Sequence, residues 1–186
     1  MAKVPAAGSQ PTHFERLGLP RRFNLDAAET ERNYLARSRE LHPDYHQQSS
    51  TAQQRVSMEM TAALNDAYAS LKNPFRRAEY LLALEGGPSA AEHKAMAPAF
   101  LEEMLELRME IEELREGSPD SPARREMENQ LRRRNDALVG ELAKRFAELE
   151  ALPAEDVKRR GMLVQLRQAL NAAKYVQGLL RDLRAD

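Results

Sequence analysis

Apolar residues recur every three or four positions along most of the chain, a spacing that predicts helices and an all-α fold. The clearest case is the segment 51–71, where one apolar stripe contains Val56, Met60, Ala63, Leu64, Ala67 and Leu71. Capping, glycine and proline signals set the limits of the other predicted helices. These are a short turn ending at Leu17 and the segments 27–41, 75–84, 98–115, 122–150 and 154–183.

Two N-cap signals open the first two helices. Thr12 and Glu15 have the spacing of a capping box, in which each side chain bonds the other residue's backbone N–H. Asp26 is the predicted N-cap of the second helix. The apolar face of that helix is thin, comprising Ala27, Tyr34 and Leu41 with Leu35 to one side. Three arginines lie on or near its outer side and form either a solvated face or a basic docking strip: Arg32, Arg37 and Arg39.

A polar loop bearing His42, Pro43 and Asp44 separates the second and third predicted helices. Pro43 ends the second helix near Leu41, because the residue before a proline disfavours the α region. Two antiparallel helices would bury their stripes against each other and expose this loop at one end. The layout resembles a J-domain, the module that activates DnaK-type ATPases, although a proline turn capped by Asp44 fits the same three residues.

The composition limits the classes of function. The 186 residues are 42% hydrophobic and 31% charged, which is typical of a helical protein with solvated faces. A formal net charge of −1 gives no overall attraction to nucleic acid or to an anionic membrane, and the absence of cysteine excludes disulfides and thiolate metal sites. No apolar run approaches the roughly 20 residues of a membrane span, and residues 1–11 are predicted to be a disordered leader. We therefore expect a cytoplasmic protein without a cofactor.

A longer string of residues makes the resemblance more specific. It comprises Phe14-Glu15-Arg16-Leu17-Gly18-Leu19-Pro20, His42-Pro43-Asp44, Ala63-Leu64-Asn65-Asp66-Ala67-Tyr68, Leu71-Lys72-Asn73-Pro74 and Arg77-Ala78-Glu79-Tyr80-Leu81-Leu82. This string resembles the HscB family, the J-type co-chaperones of iron–sulfur cluster assembly, and the resemblance extends over about 12–183. Two features depart from the family pattern: Arg37 replaces a common apolar residue, and Tyr45-His46 replaces a basic residue followed by Phe.

The resemblance and the linker composition together predict the domain organisation. Small residues with prolines at both ends indicate a linker over 88–98. A J-domain is expected over 12–87, as an antiparallel helical hairpin with short flanking helices. The three helical segments of 99–186 are joined by short loops, which predicts an antiparallel three-helix bundle.

The helix predicted at 98–115 has apolar residues on two faces. Its core stripe contains Phe100, Met104, Leu107, Ile111 and Leu114. At 100° per residue, Leu101, Leu105 and Met109 point away from that core, beside the acidic residues Glu102, Glu106 and Glu113. An apolar face rimmed by glutamates is either a protein-binding surface or the face that packs on the first domain.

The last predicted helix repeats this arrangement. Its core stripe contains Leu163, Leu166, Leu170, Ala173, Val176, Leu180 and Leu183. Val164, Tyr175 and Leu179 are expected to point elsewhere.

The resemblance implies partners and residues for both domains. HscB proteins bind the scaffold protein IscU on this bundle, which implies a client site of Leu101, Leu105, Glu106, Met109, Glu113 and Tyr175. Within it, Glu102 stands where an apolar residue is common, Met109 where Glu is common and Tyr175 where Phe is common. A DnaK-type ATPase, HscA-like, would be engaged by His42, Pro43, Asp44, Arg32, Arg37 and Arg39. The implied function is delivery of the scaffold to this ATPase and stimulation of ATP hydrolysis, to promote cluster transfer without catalysis by the chain itself.

Three other interpretations stay open at this point. The first is a general J-protein with a different client. The second is an enzyme, for which the residues offer only a conceivable zinc site at His42, Asp44 and His46. The third is a structural coiled coil, suggested by Met127, Leu131, Leu138, Leu142 and Leu149 but interrupted by Arg134.

Overall fold

A computed structural model describes residues 10–41, 51–118 and 120–185, and its fold is all-α as predicted. Most of the predicted leader 1–11 lies outside these ranges, as does the whole loop that carries His42, Pro43 and Asp44. Seven helices lie within the described residues: α1 His13–Leu17, α2 Ala27–Glu40, α3 Thr51–Lys72, α4 Pro74–Leu84, α5 Pro98–Arg115, α6 Pro122–Ala151 and α7 Lys158–Arg184.

The chain divides into two compact units between Tyr80 and Leu81, inside α4. The segment predicted as a linker, 88–98, belongs to the second unit and is bonded within it. Ser89 donates its backbone N–H to the Glu92 carboxylate at 2.8 Å, and the Asn171 side chain of α7 donates to the His93 carbonyl at 3.0 Å. The domain limits 12–87 and 99–186 remain predictions.

The capping box at the start of α1 is confirmed. Thr12 Oγ1 accepts a hydrogen bond from the Glu15 backbone N–H at 3.2 Å, while the Thr12 backbone N–H donates to the Glu15 carboxylate at 2.7 Å. Hydrogen bonds from Thr12 also lower the pKa of Glu15. Asp26 caps α2 as predicted, accepting from the Glu29 N–H at 2.6 Å.

Arg37 joins α2 to the end of α1. Its Nη1 donates to the Arg16 carbonyl at 2.6 Å and, more weakly, to the Glu15 carbonyl at 3.4 Å, which also accepts the Gly18 backbone N–H at 3.1 Å. Gly18 permits this contact, because its φ of 64° is left-handed and a Cβ there would lie 2.6 Å from Arg37 Nη2. Arg37 is therefore a structural residue of the first unit.

The core of the first unit is formed mainly by α1 and α3. Phe14 and Leu17 of α1 are buried, as are Leu64, Ala67 and Leu71 of α3. The predicted stripe of α3 is correct only in this C-terminal half. Nearer the start of the helix, Val56 and Met60 are exposed, and the residue that turns inward is Ser57. Ala27 of α2 is likewise exposed, and Thr30 is the buried residue of that helix.

The second unit is the predicted three-helix bundle, in which α5, α6 and α7 all contact one another. At one end, buried Arg124 near the start of α6 donates through Nε to the Leu183 carbonyl near the end of α7 at 2.9 Å. The two long helices are therefore antiparallel. The core contains Met104, Leu107, Ile111, Met127, Leu131, Val176, Leu179 and Leu183.

Two sequence-based expectations about α7 are wrong. The helix begins at Lys158 rather than at Ala154, because the residues after Pro153 form a turn in which the Asp156 backbone N–H donates to the Pro153 carbonyl at 3.1 Å. Leu179, which was expected to point away from the core, is buried in it. The bundle contacts both flanks of α7, so its buried arc is wider than a single stripe.

The residues that suggested a coiled coil form part of this intramolecular core. Met127, Leu131, Leu142 and Leu149 are buried within the second unit. Arg134, which interrupts their heptad, donates to Glu103 of α5 at 2.6 Å. In the described part of the chain, no helix combines the length and apolar character needed to cross a membrane.

We predict that Arg37→Met lowers the free energy of unfolding of the first unit by about 1–2 kcal/mol, because the Arg16 carbonyl loses a charged donor. Arg39→Met, two residues along the same helix and exposed, is the matched control and should change it by less than about 0.5 kcal/mol. Urea unfolding followed by tyrosine fluorescence measures the effect, since four of the five tyrosines precede residue 81. Equal effects of the two substitutions would contradict the structural role.

Candidate functional site

The helix that leads into the His-Pro-Asp loop ends on a defined set of hydrogen bonds. Leu41 is the C-cap of α2, and its N–H donates to the Arg37 carbonyl at 3.1 Å. The Leu41 carbonyl accepts from Ser57 Oγ at 3.0 Å and from Thr61 Oγ1 at 3.4 Å, both on α3. His42 follows Leu41 directly in the sequence, so these contacts anchor the chain at the entrance to the loop.

The three arginines predicted as a docking strip do not all lie on one face of α2. Arg32 and Arg39 are exposed and lie seven residues apart, which places them on the same face of α2. Arg37 lies two residues from Arg39, on a different face, and its guanidinium is bonded to α1. The fully exposed arginines of the predicted strip are therefore Arg32 and Arg39, and a docking role for any of the three stays a prediction.

Exposed apolar side chains lie at the start of α3, although the apolar stripe predicted that two of them would be buried. Val56, Met58 and Met60 are all exposed. Together with Leu41, two of them border a cleft of about 490 Å³ whose lining also includes Ser57.

The α5 surface, which we define as Leu101, Leu105 and Met109 with Tyr175 of α7, has the predicted orientation. The exposed fractions of these residues are 42%, 61%, 59% and 50% respectively. The three α5 residues follow one another at intervals of four, a row about 12 Å long at 1.5 Å per residue. On the opposite face of the same helix, Met104, Leu107 and Ile111 are buried in the bundle core.

Tyr175 reaches this surface through Phe100, the residue before Leu101. The two rings meet edge to face, with centroids 6.3 Å apart and an interplanar angle of 84°. Phe100 is also packed against the core, and the Arg134 guanidinium lies 5.5 Å from its ring centroid. The other two residues expected near Tyr175 are less accessible, since Leu179 is buried and Val164 is partly buried.

The acidic residues around the α5 surface fall into two groups. Glu103 is bonded to Arg134, and this hydrogen bond lowers the pKa of the Glu103 carboxyl. Glu103 therefore belongs to the packing of α5 on α6. The other carboxylates that flank or interrupt the row are exposed, and they give the surface a mainly negative rim suited to a cationic partner: Glu102, Glu106, Glu113 and Glu112, the last of which is paired with Arg108 at 3.5 Å.

The described histidines have structural contacts. His13 stacks on Tyr80 with ring centroids 4.0 Å apart, and burial lowers its pKa despite the nearby Asp66 carboxylate. Residues 10–41, 51–118 and 120–185 contain no group of three or more His, Asp or Glu side chains placed to hold a metal ion. The conceivable zinc ligands His42, Asp44 and His46 lie outside those ranges.

Sequence comparison identifies relatives over most of the chain. The model of the HSCB C-terminal oligomerisation domain matches residues 96–184. The co-chaperone protein HscB homolog of Aliivibrio fischeri (strain MJ11) is 37% identical over 160 residues, which are 84% of this chain and 92% of the relative. The corresponding homolog of Neisseria meningitidis serogroup B (strain MC58) is 33% identical over 153 residues, with 81% and 92% covered.

Solved structures agree with this result. The chaperone HscB from Vibrio cholerae has a TM-score of 0.76 at 26% identity, and the match covers 93% of this chain and 95% of that one. The human co-chaperone HscB has a TM-score of 0.77 at 22% identity, covering 98% and 84%, which supports the fold alone. The identity and coverage of these relatives show that the chain belongs to the HscB family, whose members are co-chaperones and not enzymes.

Proposed function

We propose that this co-chaperone binds an IscU-like iron–sulfur scaffold protein on the α5 surface and delivers it to an HscA-like, DnaK-type ATPase. It stimulates ATP hydrolysis by that partner, in the cytoplasm, and so promotes cluster transfer and the maturation of iron–sulfur proteins. The observation that carries the proposal is the row of exposed apolar residues on α5, a helix whose opposite face is fully used by the bundle core.

The α5 surface has the chemistry of a protein interface. Leu101, Leu105 and Met109 leave an apolar row in water, and because each is about half exposed, covering one of them contributes about half of the 1.5–3 kcal/mol gained by full burial. The glutamate rim suits a scaffold surface that combines apolar side chains with lysine or arginine. Tyr175 adds an aromatic side chain, a type enriched among the residues that dominate binding energy.

The ATPase would be engaged from the other end of the chain. Asp44 can accept a charge-assisted hydrogen bond from an arginine of the partner, and Pro43 restricts the backbone of the loop. His42 braces the same loop. Arg32 and Arg39 add a positive strip that speeds association by electrostatic steering. Arg37, which is bonded to α1, has no part in this proposal.

Asp44→Asn should abolish stimulation of the partner's ATP hydrolysis, because the amide has lost the negative charge that the partner's arginine requires. Steady-state ATPase assays with increasing co-chaperone measure this effect. Helical circular dichroism and the melting temperature should stay close to those of the parent. Stimulation equal to that of the parent would remove the J-domain part of the proposal.

Truncation of the α5 surface should separate binding from stability. Leu101→Ala combined with Leu105→Ala should weaken scaffold binding by roughly 1–2 kcal/mol or more per residue, while the stability changes by about 0.5 kcal/mol or less for each exposed side chain. Calorimetric titration against the scaffold, paired with thermal melts, measures both quantities. Stimulation of the ATPase in the absence of scaffold should be unchanged.

Leu107→Ala is the matched control, since Leu107 lies two residues from Leu105 but is 8% exposed and packed in the core. It should lower the stability by about 2–5 kcal/mol. The assignment of the client site to the α5 surface fails if the double variant binds the scaffold with parental affinity.

A further inference from the structure

Ser57 is out of place in the apolar pattern of α3. Its neighbours Val56 and Met58 are exposed, whereas Ser57 is only 7% exposed. Its hydroxyl donates to the Leu41 carbonyl at 3.0 Å, across from α3 to the end of α2. A serine contributes little apolar burial, so the hydrogen bond is the main consequence of placing this side chain inside.

The acceptor of this bond is a carbonyl at the C-terminus of a helix. The last carbonyls of any helix lack intrahelical donors, and α2 cannot continue because Pro43 follows two residues later. Ser57 supplies a donor that the backbone of α2 cannot. Thr61 also approaches the Leu41 carbonyl, at 3.4 Å, but its hydroxyl lies nearer the Ser57 carbonyl, at 2.9 Å. Ser57 is therefore the principal donor and Thr61 the secondary one.

The same end of α2 is held from a second side. Arg37, one turn before Leu41, donates to the Arg16 carbonyl of α1 at 2.6 Å. Within five residues, α2 is thus bonded to α1 through a guanidinium and to α3 through a hydroxyl. The next residue in the chain is His42.

We propose that Ser57, assisted by Thr61, is a positioning residue for stimulation of the ATPase: its hydroxyl fixes the carbonyl of Leu41, the residue directly before His42, Pro43 and Asp44 in the sequence. This inference rests on the proposed function of that motif. Fixing the start of the loop reduces the conformational freedom that is lost when the partner binds, and raises the fraction of molecules that are ready to bind. The effect belongs to association with the ATPase and leaves the scaffold site untouched.

The test is Ser57→Ala, examined by titrating the co-chaperone into the DnaK-type ATPase. Loss of one hydrogen bond of average strength should raise the concentration that gives half-maximal stimulation about fivefold. The maximal rate at saturation should stay near that of the parent, since Asp44 is intact. The melting temperature should fall by only a few degrees, as expected for one hydrogen bond, and the affinity for the scaffold should be unchanged.

Three further variants act as matched controls. Ser70→Ala makes the same chemical change near the other end of α3 and should behave like the parent. Thr61→Val removes the secondary hydroxyl with little change of shape and should produce a smaller shift in the same direction. Thr61→Ser keeps the hydroxyl and should restore the parental value.

Two outcomes would overturn the inference. In the first, Ser57→Ala stimulates like the parent while Asp44→Asn does not stimulate, so that the proposed function stands and Ser57 has no part in it. In the second, Ser57→Ala lowers the melting temperature, the scaffold affinity and the stimulation together, which marks a general structural role. If Asp44→Asn itself stimulates normally, the proposed function fails first, and the positioning role fails with it.

Discussion

The burial of one face of α5 in the bundle core is the constraint on which the second unit depends. Met104, Leu107 and Ile111 pack with residues of both α6 and α7, and this packing fixes the rotation of α5 about its own axis. Because a helix advances 100° per residue, the same rotation determines where Leu101 and Leu105 point. The packing of the core therefore determines which residues of α5 are exposed. A change that rotated α5 would disrupt the core packing and the exposed row together.

Most of the bundle could be predicted from the sequence, because apolar spacing and proline positions determine it. Pro98 and Pro122 mark the starts of α5 and α6 in the sequence and in the structure. The predicted helix start is wrong where a turn precedes the helix, and the predicted burial is wrong where a helix packs against two neighbours. A turn after Pro153 delays the start of α7 to Lys158, four residues later than predicted, and Leu179 is buried because α7 packs against two helices. A single apolar stripe in the sequence indicates one packing partner for a helix, and therefore does not predict that α7 packs against a second one.

The polar contacts near the candidate sites could not be predicted in the same way. Arg37, Arg134 and Ser57 each bond a group distant in the sequence, and the partner of such a bond depends on tertiary geometry rather than on spacing. The sequence pattern led to different interpretations of two of these residues: Arg37 was predicted to belong to a docking strip, and Arg134 was noted only as an interruption of a heptad. Their actual partners, the end of α1 and Glu103, give each a structural explanation. The resemblance to a family supplied the partners, which no contact within the chain can identify.

The central claim is that one molecule must hold the scaffold and engage the ATPase at the same time. The most direct test measures ATP hydrolysis by the DnaK-type partner with scaffold present, using an equimolar mixture of the Asp44→Asn variant and the Leu101→Ala/Leu105→Ala double variant. The molecules that bind the scaffold then lack Asp44, and those that have Asp44 cannot hold the scaffold. We expect the parent protein to stimulate more strongly with scaffold than without it, because it then presents the scaffold to the ATPase, and we expect the mixture to lack this difference. Stimulation by the mixture equal to that of the parent at the same total concentration would contradict the account.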